Sequence, residues 1–136
     1  MALLAEISSS EGSEWASNEA FDRPVDLVHL SRYTLGNRSL EHEVLSLFLT
    51  QSQLYVQRLK DACEDKQWHD AAHTIKGSAK SIGAWQLARC AEKAETLNGT
   101  ARKNGATAIL DEVERLVGET NSYIRSLLAE AGSEAG

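Results

Sequence analysis

Residues 72–84 read AHTIKGSAKSIGA: one histidine, two lysines, two glycines and no acid. The chain as a whole is acidic, with 20 Asp and Glu against 14 Lys and Arg, yet no acidic residue falls between Asp70 and Glu92. On a helix turning about 100° per residue, with His73 at zero, Trp68, Ala71, Ala72, Ile75, Ala79 and Ile82 fall at roughly 160° to 260° and make an apolar face. His69, His73, Lys76, Gly77 and Lys80 fall within roughly 60° of zero, on the opposite face. The spacing therefore predicts a helix from about Gln67 to Ile82 that buries one side and turns an imidazole and two cations outward.

Three more helical patterns flank this one. From about Ser39 to Asp65, Leu40, Val44, Phe48, Tyr55, Leu59 and Ala62 share a stripe at 3.6-residue spacing, and Leu45, Leu49, Val56 and Cys63 widen it. So wide a face calls for two neighbouring helices and a shorter third, or else leaves part exposed as a docking patch. A helix from Ala84 to about Ala101 turns Leu87, Ala88, Ala91, Ala94 and Leu97 inward. RKNGAT, at 102–107, reads as a glycine stop and a new start. The last pattern, from about Thr107 to Ala129, carries Ile109, Leu110, Val113, Leu116, Val117, Tyr123, Ile124, Leu127 and Leu128. Before all of these, RPVDLVHLSRYTLG (23–36) reads as a short helix after Pro24, with Asp26 near its start and Gly36 past its end.

No strand pattern appears, and short connections favour antiparallel neighbours. The expected fold is all-α: an up-and-down antiparallel four-helix bundle with a short additional N-terminal helix, over residues 24–130. Residues 1–23, rich in Ser, Glu and Ala, read as a mobile tail in which nothing requires Trp15 or Phe21 to pack. Residues 131–136, AGSEAG, read as a frayed end.

Composition narrows the function. The 136 residues suffice for one core without staples. A net charge of −6 argues against nucleic-acid binding, which needs a basic footprint. Cys63 and Cys90 lie far apart among apolar residues, which suits free thiols in a reducing compartment. No apolar run reaches the length of a membrane span, and MALLAEI has neither a basic start nor a cleavage pattern. The expected compartment is the cytoplasm, with no membrane association and a monomeric chain.

Gly77 is the costly residue of the opening stretch. A glycine inside a helix loses about 1 kcal/mol against alanine. It lies one turn from His73 on the same side, where a missing side chain leaves a notch beside the ring; the plainer reading is a glycine that lets helices pack. Gly83 only ends its helix. Neighbouring cations disfavour a charged imidazole, and a neutral ring has a nucleophilic nitrogen. Lys76 and Lys80 also offset the charge of a phosphoryl group carried on the ring. The stretch is thus a phosphoacceptor environment. No Gly-rich phosphate loop and no cluster of metal-binding carboxylates accompanies it, so the chain shows no means of activating phosphate itself.

AAHTIKGSAKSIGA, followed by LARCAEKAE, resembles the histidine-containing phosphotransfer (HPt) domains of two-component phosphorelays over roughly residues 25–129. The family pattern is His, Lys three residues on, Gly four on and often Gly ten on; here His73, Lys76, Gly77 and Gly83. The resemblance implies a phosphocarrier without kinase activity, with His73 as phosphoacceptor. It would pass phosphate between a sensor or hybrid histidine kinase, or a receiver aspartate, and a response-regulator aspartate. It implies no cofactor of the chain's own and Mg2+ in the partner receiver. The family often carries Gln or Glu twenty-two residues past the histidine, which is Glu95 here. Glu95 would then accept from His73 Nδ1–H and leave Nε2 free, though a solvated glutamate reads as well. Lys80 is at a more variable position. His69 and Arg89 are candidates for the rim of a docking surface around His73. That surface would draw on exposed apolar positions of the first two long helices.

Two other classes remain. HDAAH sets His69 and His73 at the i, i+4 spacing of a two-histidine zinc helix, but neighbouring lysines oppose a divalent cation and no third ligand is apparent. A non-catalytic helical adaptor with an inert histidine is the other. His29 and His42 read as incidental.

Overall fold

The structure is a computed structural model that describes residues 23–135. The expected tail, with Trp15 and Phe21, lies outside the described residues apart from Arg23. Among the described residues the order is α1 (Leu27–Tyr33), α2 (Arg38–Asp61), α3 (Asp65–Ser81), α4 (Trp85–Glu95) and α5 (Gly99–Ala135), with no strand. α2 packs on α3 and α5, and α4 packs on α3 and α5. The four long helices so enclose one apolar core.

α1 starts where Asp26 caps it, its carboxylate accepting from His29 N at 3.1 Å. The same residue ties α1 to the α3–α4 turn. Asp26 N donates to Gly83 O at 2.9 Å, and Trp85 Nε1 donates to Asp26 Oδ2 at 2.9 Å. Gly83 has φ +73°, and a Cβ there would stand 2.7 Å from Asp26 Cβ. It therefore ends α3, as expected, and also admits the Asp26 backbone.

α2 buries Leu45, Phe48, Ser52, Val56 and Leu59. Sequence periodicity places Leu40 and Cys63 inside as well, but both are exposed. Leu40 stands in the first turn of α2 and Cys63 lies past its last residue, Asp61; in mid-helix Ser52 Oγ accepts from Asn121 Nδ2 of α5 at 3.0 Å. This hydrogen-bonded polar pair, in which the buried Asn121 Oδ1 keeps no partner among the described residues, occupies the middle of the core line and hides it from a hydrophobicity pattern. Leu47 and Leu54 lie on the exposed side of α2.

α3 matches its expectation closely. Gln67 Oε1 accepts from Glu64 N at 3.1 Å and fixes the start. Trp68, Ala71, Ala72, Ile75, Ala79 and Ile82 are all buried. Trp68 Nε1 donates to the Ala94 carbonyl at 2.6 Å, so the largest side chain of this face also pins the end of α4.

Two boundaries differ. α4 ends at Glu95 instead of near Ala101, and α5 runs unbroken through RKNGAT from Gly99. The restart is set from outside the segment: Asp65 accepts from Gly99 N at 3.0 Å and from Arg102 Nε at 2.6 Å. A carboxylate at a helix N-terminus satisfies its free N–H groups and its dipole, and Gly105 is carried inside α5. The far end of α5 reaches Ala135, into the stretch expected to fray. Both cysteines are free, Cys63 exposed and Cys90 buried, and burial pushes the Cys90 thiol up to about 11. Among the described residues no helix is long and apolar enough to cross a membrane.

Candidate functional site

His73 and Lys76 project from α3, and Glu95 comes from the last turn of α4. A carboxylate there faces the negative end of the helix dipole, which disfavours it by some 0.3–1 kcal/mol unless cations answer it. They do. Lys76 Nζ donates to Glu95 Oε1 at 2.7 Å, and His73 Nδ1 lies 2.6 Å from Glu95 Oε2. Burial is the largest influence on Glu95 and works to raise its pKa. The hydrogen bonds from Lys76 and then His73, together with their charges, outweigh it and hold the carboxyl below its ordinary value. Ionised Glu95 is acceptor only, so it favours the His73 tautomer with the proton on Nδ1 and the lone pair on Nε2. The carboxylate is nearly covered, with 12 % of its side-chain surface exposed, while the His73 side chain keeps 64 %. A fixed partner beneath and an open nitrogen above is an arrangement suited to nucleophilic attack on an incoming group.

Gly77 is exposed, and a Cβ there would meet nothing within 4 Å. No packing contact within the chain requires glycine at that position. Lys80 is half-buried further along α3. Arg89 is exposed, but it lines the groove between α4 and α5 with Cys90, Lys93 and Ile109, apart from the Glu95 cluster. His29 packs edge-on against Trp85, with ring centroids 4.7 Å apart, and His42 is exposed.

Two features escape the sequence reading. Lys76 sits on Glu95 rather than standing as an isolated cation beside the ring. His69 also reaches that carboxylate, with Nε2 3.4 Å from Glu95 Oε2. The HDAAH spacing holds the signal for the second, since it sets both rings on one face of α3. Among the described residues no group of three or more His, Cys, Asp or Glu is placed to hold a metal ion. On the other flank of His73, Tyr55 and Arg58 of α2 face Asp70 and Thr74 of α3 across a shallow groove of about 390 Å³.

No curated protein and no solved structure matches the chain significantly. The family model of the Hpt domain matches residues 43–131, which spans most of α2 and all of α3 and α4. The match, together with an exposed histidine held through Nδ1 on a helical bundle, places the chain in the Hpt domain family, the phosphotransfer modules of two-component signalling.

Proposed function

We propose that this chain relays a phosphoryl group through Nε2 of His73, between the aspartyl phosphate of a receiver domain, or a sensor or hybrid histidine kinase, and a response-regulator aspartate. The observation that carries the reading is the 2.6 Å contact between His73 Nδ1 and Glu95, made by a ring that stays largely open. In the forward step the Nε2 lone pair attacks phosphorus in line. The N–P bond forms as the P–O bond to the aspartate breaks, and the carboxylate leaves. The reverse step hands the group to a second receiver. Mg2+ belongs to the partner receiver, which contributes most of the transition-state stabilisation.

This chain's share is positioning. Phosphorylated at Nε2 with Nδ1 still protonated, the ring is cationic, and Glu95 stabilises it through the same hydrogen bond. Lys76 neutralises Glu95 in the resting state and turns toward the phosphoryl oxygens in the loaded one. Lys80 adds a second, weaker cation. Gly77 keeps the approach to Nε2 open. The receiver docks across the α2–α3 groove and the exposed Leu47 and Leu54, with His69 at the rim. Arg89 belongs to this rim only for a partner wide enough to reach the α4–α5 side.

The architecture supporting this is an up-and-down antiparallel four-helix bundle with α1 as its short extra helix. The connections Ala62–Glu64, Ile82–Ala84 and Thr96–Asn98 are short enough to reverse the chain each time. The chain works as a monomeric carrier in the cytoplasm, with no kinase activity and no cofactor of its own. Incubation with a phosphorylated receiver tests the reading. A label that is lost in acid and kept in base marks a phosphoramidate. A chain that stays unlabelled with every receiver of its source is an adaptor.

A further inference from the structure

We propose that the groove between α4 and α5 is the seat of the chain's own N-terminal segment, residues 1–22, with Phe21 and Trp15 as its apolar anchors. None of the residues lining this groove belongs to the Glu95 cluster, so its occupation is independent of the relay.

The groove measures about 600 Å³. Its floor is apolar: Cys90 of α4 and Leu116 of α5 are buried there, and Ile109 of α5 is half-buried. Arg89 and Lys93, one turn apart on α4, stand exposed along one wall. On the other wall Glu112 is held by Arg115 at 2.6 Å, and the same guanidinium holds Glu119 at 2.5 Å. The acids of α5 are thus answered within their own helix, and the cations of α4 face outward. An apolar floor with a cationic edge suits an acidic peptide that carries large apolar side chains.

Residues 1–22 have that chemistry. They contain Glu6, Glu11, Glu14, Glu19 and Asp22 and no lysine or arginine. They therefore hold five of the chain's 20 acidic residues and none of its 14 basic ones, which leaves residues 23–136 nearly neutral. Trp15 and Phe21 are the largest of their apolar side chains.

The bundle also delivers this segment to the groove. Val25 is fully buried, and Asp26 is tied to Gly83 and to Trp85, where α4 opens. Pro24 lies against α5 at Gly118, Glu119 and Ser122. Glu119 is one turn beyond Leu116, which ends the groove on α5, and Trp85 adjoins Gln86, which ends it on α4. Phe21 thus stands three residues before a proline fixed at the mouth. From Gln86 to Leu97 the groove runs about 17 Å at the helical rise. An extended run from Phe21 to Trp15 reaches about 20 Å, so the two rings span it. Phe21 then meets Leu116 and Cys90, Trp15 meets Ile109 and Leu97, and Glu19 and Glu14 pass Arg89 and Lys93. So short a tether sets an effective concentration on the order of millimolar, which a second copy or a separate acidic peptide must exceed.

The test uses the full chain, labelled with carbon-13 and nitrogen-15, and reads nuclear Overhauser contacts from the Trp15 and Phe21 rings. The expected result is contact with the methyl groups of Ile109 and Leu116 within one chain. In a Trp15→Ser, Phe21→Ser double variant, amide shifts should move along 86–97 and 105–116 while those of the α2–α3 groove stay in place. Arg89→Glu with Lys93→Glu should move the same amides and weaken the ring contacts severalfold. The serine pair lies before α1, so it decides the matter should the charge-reversed chain fail to fold. Rings without contact to α4 or α5, with amide shifts indifferent to the serine pair, would overturn the proposal. Contacts seen only between differently labelled copies would overturn it as well, assigning the groove to a second copy. So would ring contacts to Tyr55 and Thr74, which put the segment on the receiver side.

Discussion

Glu95 Oε2 and His73 Nδ1 meet at 2.6 Å across twenty-two residues of sequence. The contact joins the end of α4 to the middle of α3. It is set by packing, since Trp68 of α3 donates to the carbonyl immediately before Glu95. Removing the acceptor should release the His73 tautomer. Glu95→Ala should slow phosphotransfer roughly tenfold, the equivalent of one hydrogen bond to a charged group. Glu95→Gln keeps an acceptor oxygen and should recover part of that rate. Nitrogen-15 spectra of His73 should show mixed tautomers in the alanine variant and Nδ1–H in the glutamine variant. Identical spectra in both would count against the positioning role.

The same carboxylate contributes to stability in a defined pH window. Its folded-state pKa is depressed below the ordinary 4.5. The contribution is therefore complete above that value and is lost as the pH falls through the lower, folded-state value. Urea denaturation of wild type and Glu95→Gln should show a stability difference at pH 6 that shrinks by pH 3. A gap that stays constant across this range would mean that Glu95 is not held by Lys76 and His73.

Gly77 and Gly83 should respond in opposite directions to the same substitution. Gly77→Ala gains helix propensity with no contact to relieve, and should stabilise the chain by up to about 1 kcal/mol. Gly83→Ala meets both a left-handed backbone and the Asp26 main chain, and should destabilise by about 2 kcal/mol or more. Gly77→Leu should stay folded and lose most of its transfer rate. An unimpaired Gly77→Leu protein would remove the access argument.

How much of this is legible beforehand differs by element. α3 reads almost completely, because its apolar positions recur without interruption and its polar face is unmixed. α2 and α5 read less well at their centres, where Asn121 donates to Ser52 inside the core; each looks like a surface residue on its own. The start of α5 is invisible locally. Nothing in RKNGAT reveals that Asp65, thirty-four residues before Gly99, caps it. At the site, the outward direction of His73, Lys76 and Gly77 follows from helical spacing alone. The convergence of Lys76 and His69 on Glu95 depends on the crossing of α3 and α4, which periodicity does not encode.

Lys76 tests charge against geometry. Lys76→Ala should leave Glu95 with His73 and His69 alone and shorten the lifetime of the phosphorylated chain. Lys76→Arg should restore part of it, since charge survives while the shape of the donor changes. A Lys76→Glu protein that accepts and holds phosphate like the wild type would show that the cation is dispensable.

The absence of a nucleotide-binding motif predicts that the purified chain with Mg2+ and ATP stays unlabelled. Transfer from the cognate receiver should weaken as salt rises, because the basic stretch from Asp70 to Glu92 would meet an acidic receiver pocket. Reversing Lys76 and Lys80 together should flatten that dependence. Autophosphorylation by ATP in a kinase-free preparation would contradict the carrier assignment.

The most direct test is to load the chain from a phosphorylated receiver and locate the phosphorus by mass spectrometry and by phosphorus–nitrogen NMR coupling. The account predicts a single acid-labile phosphoramidate on Nε2 of His73, with Nδ1 still protonated against Glu95. Phosphorus on Nδ1 of His73, or on His29, His42 or His69, would contradict it.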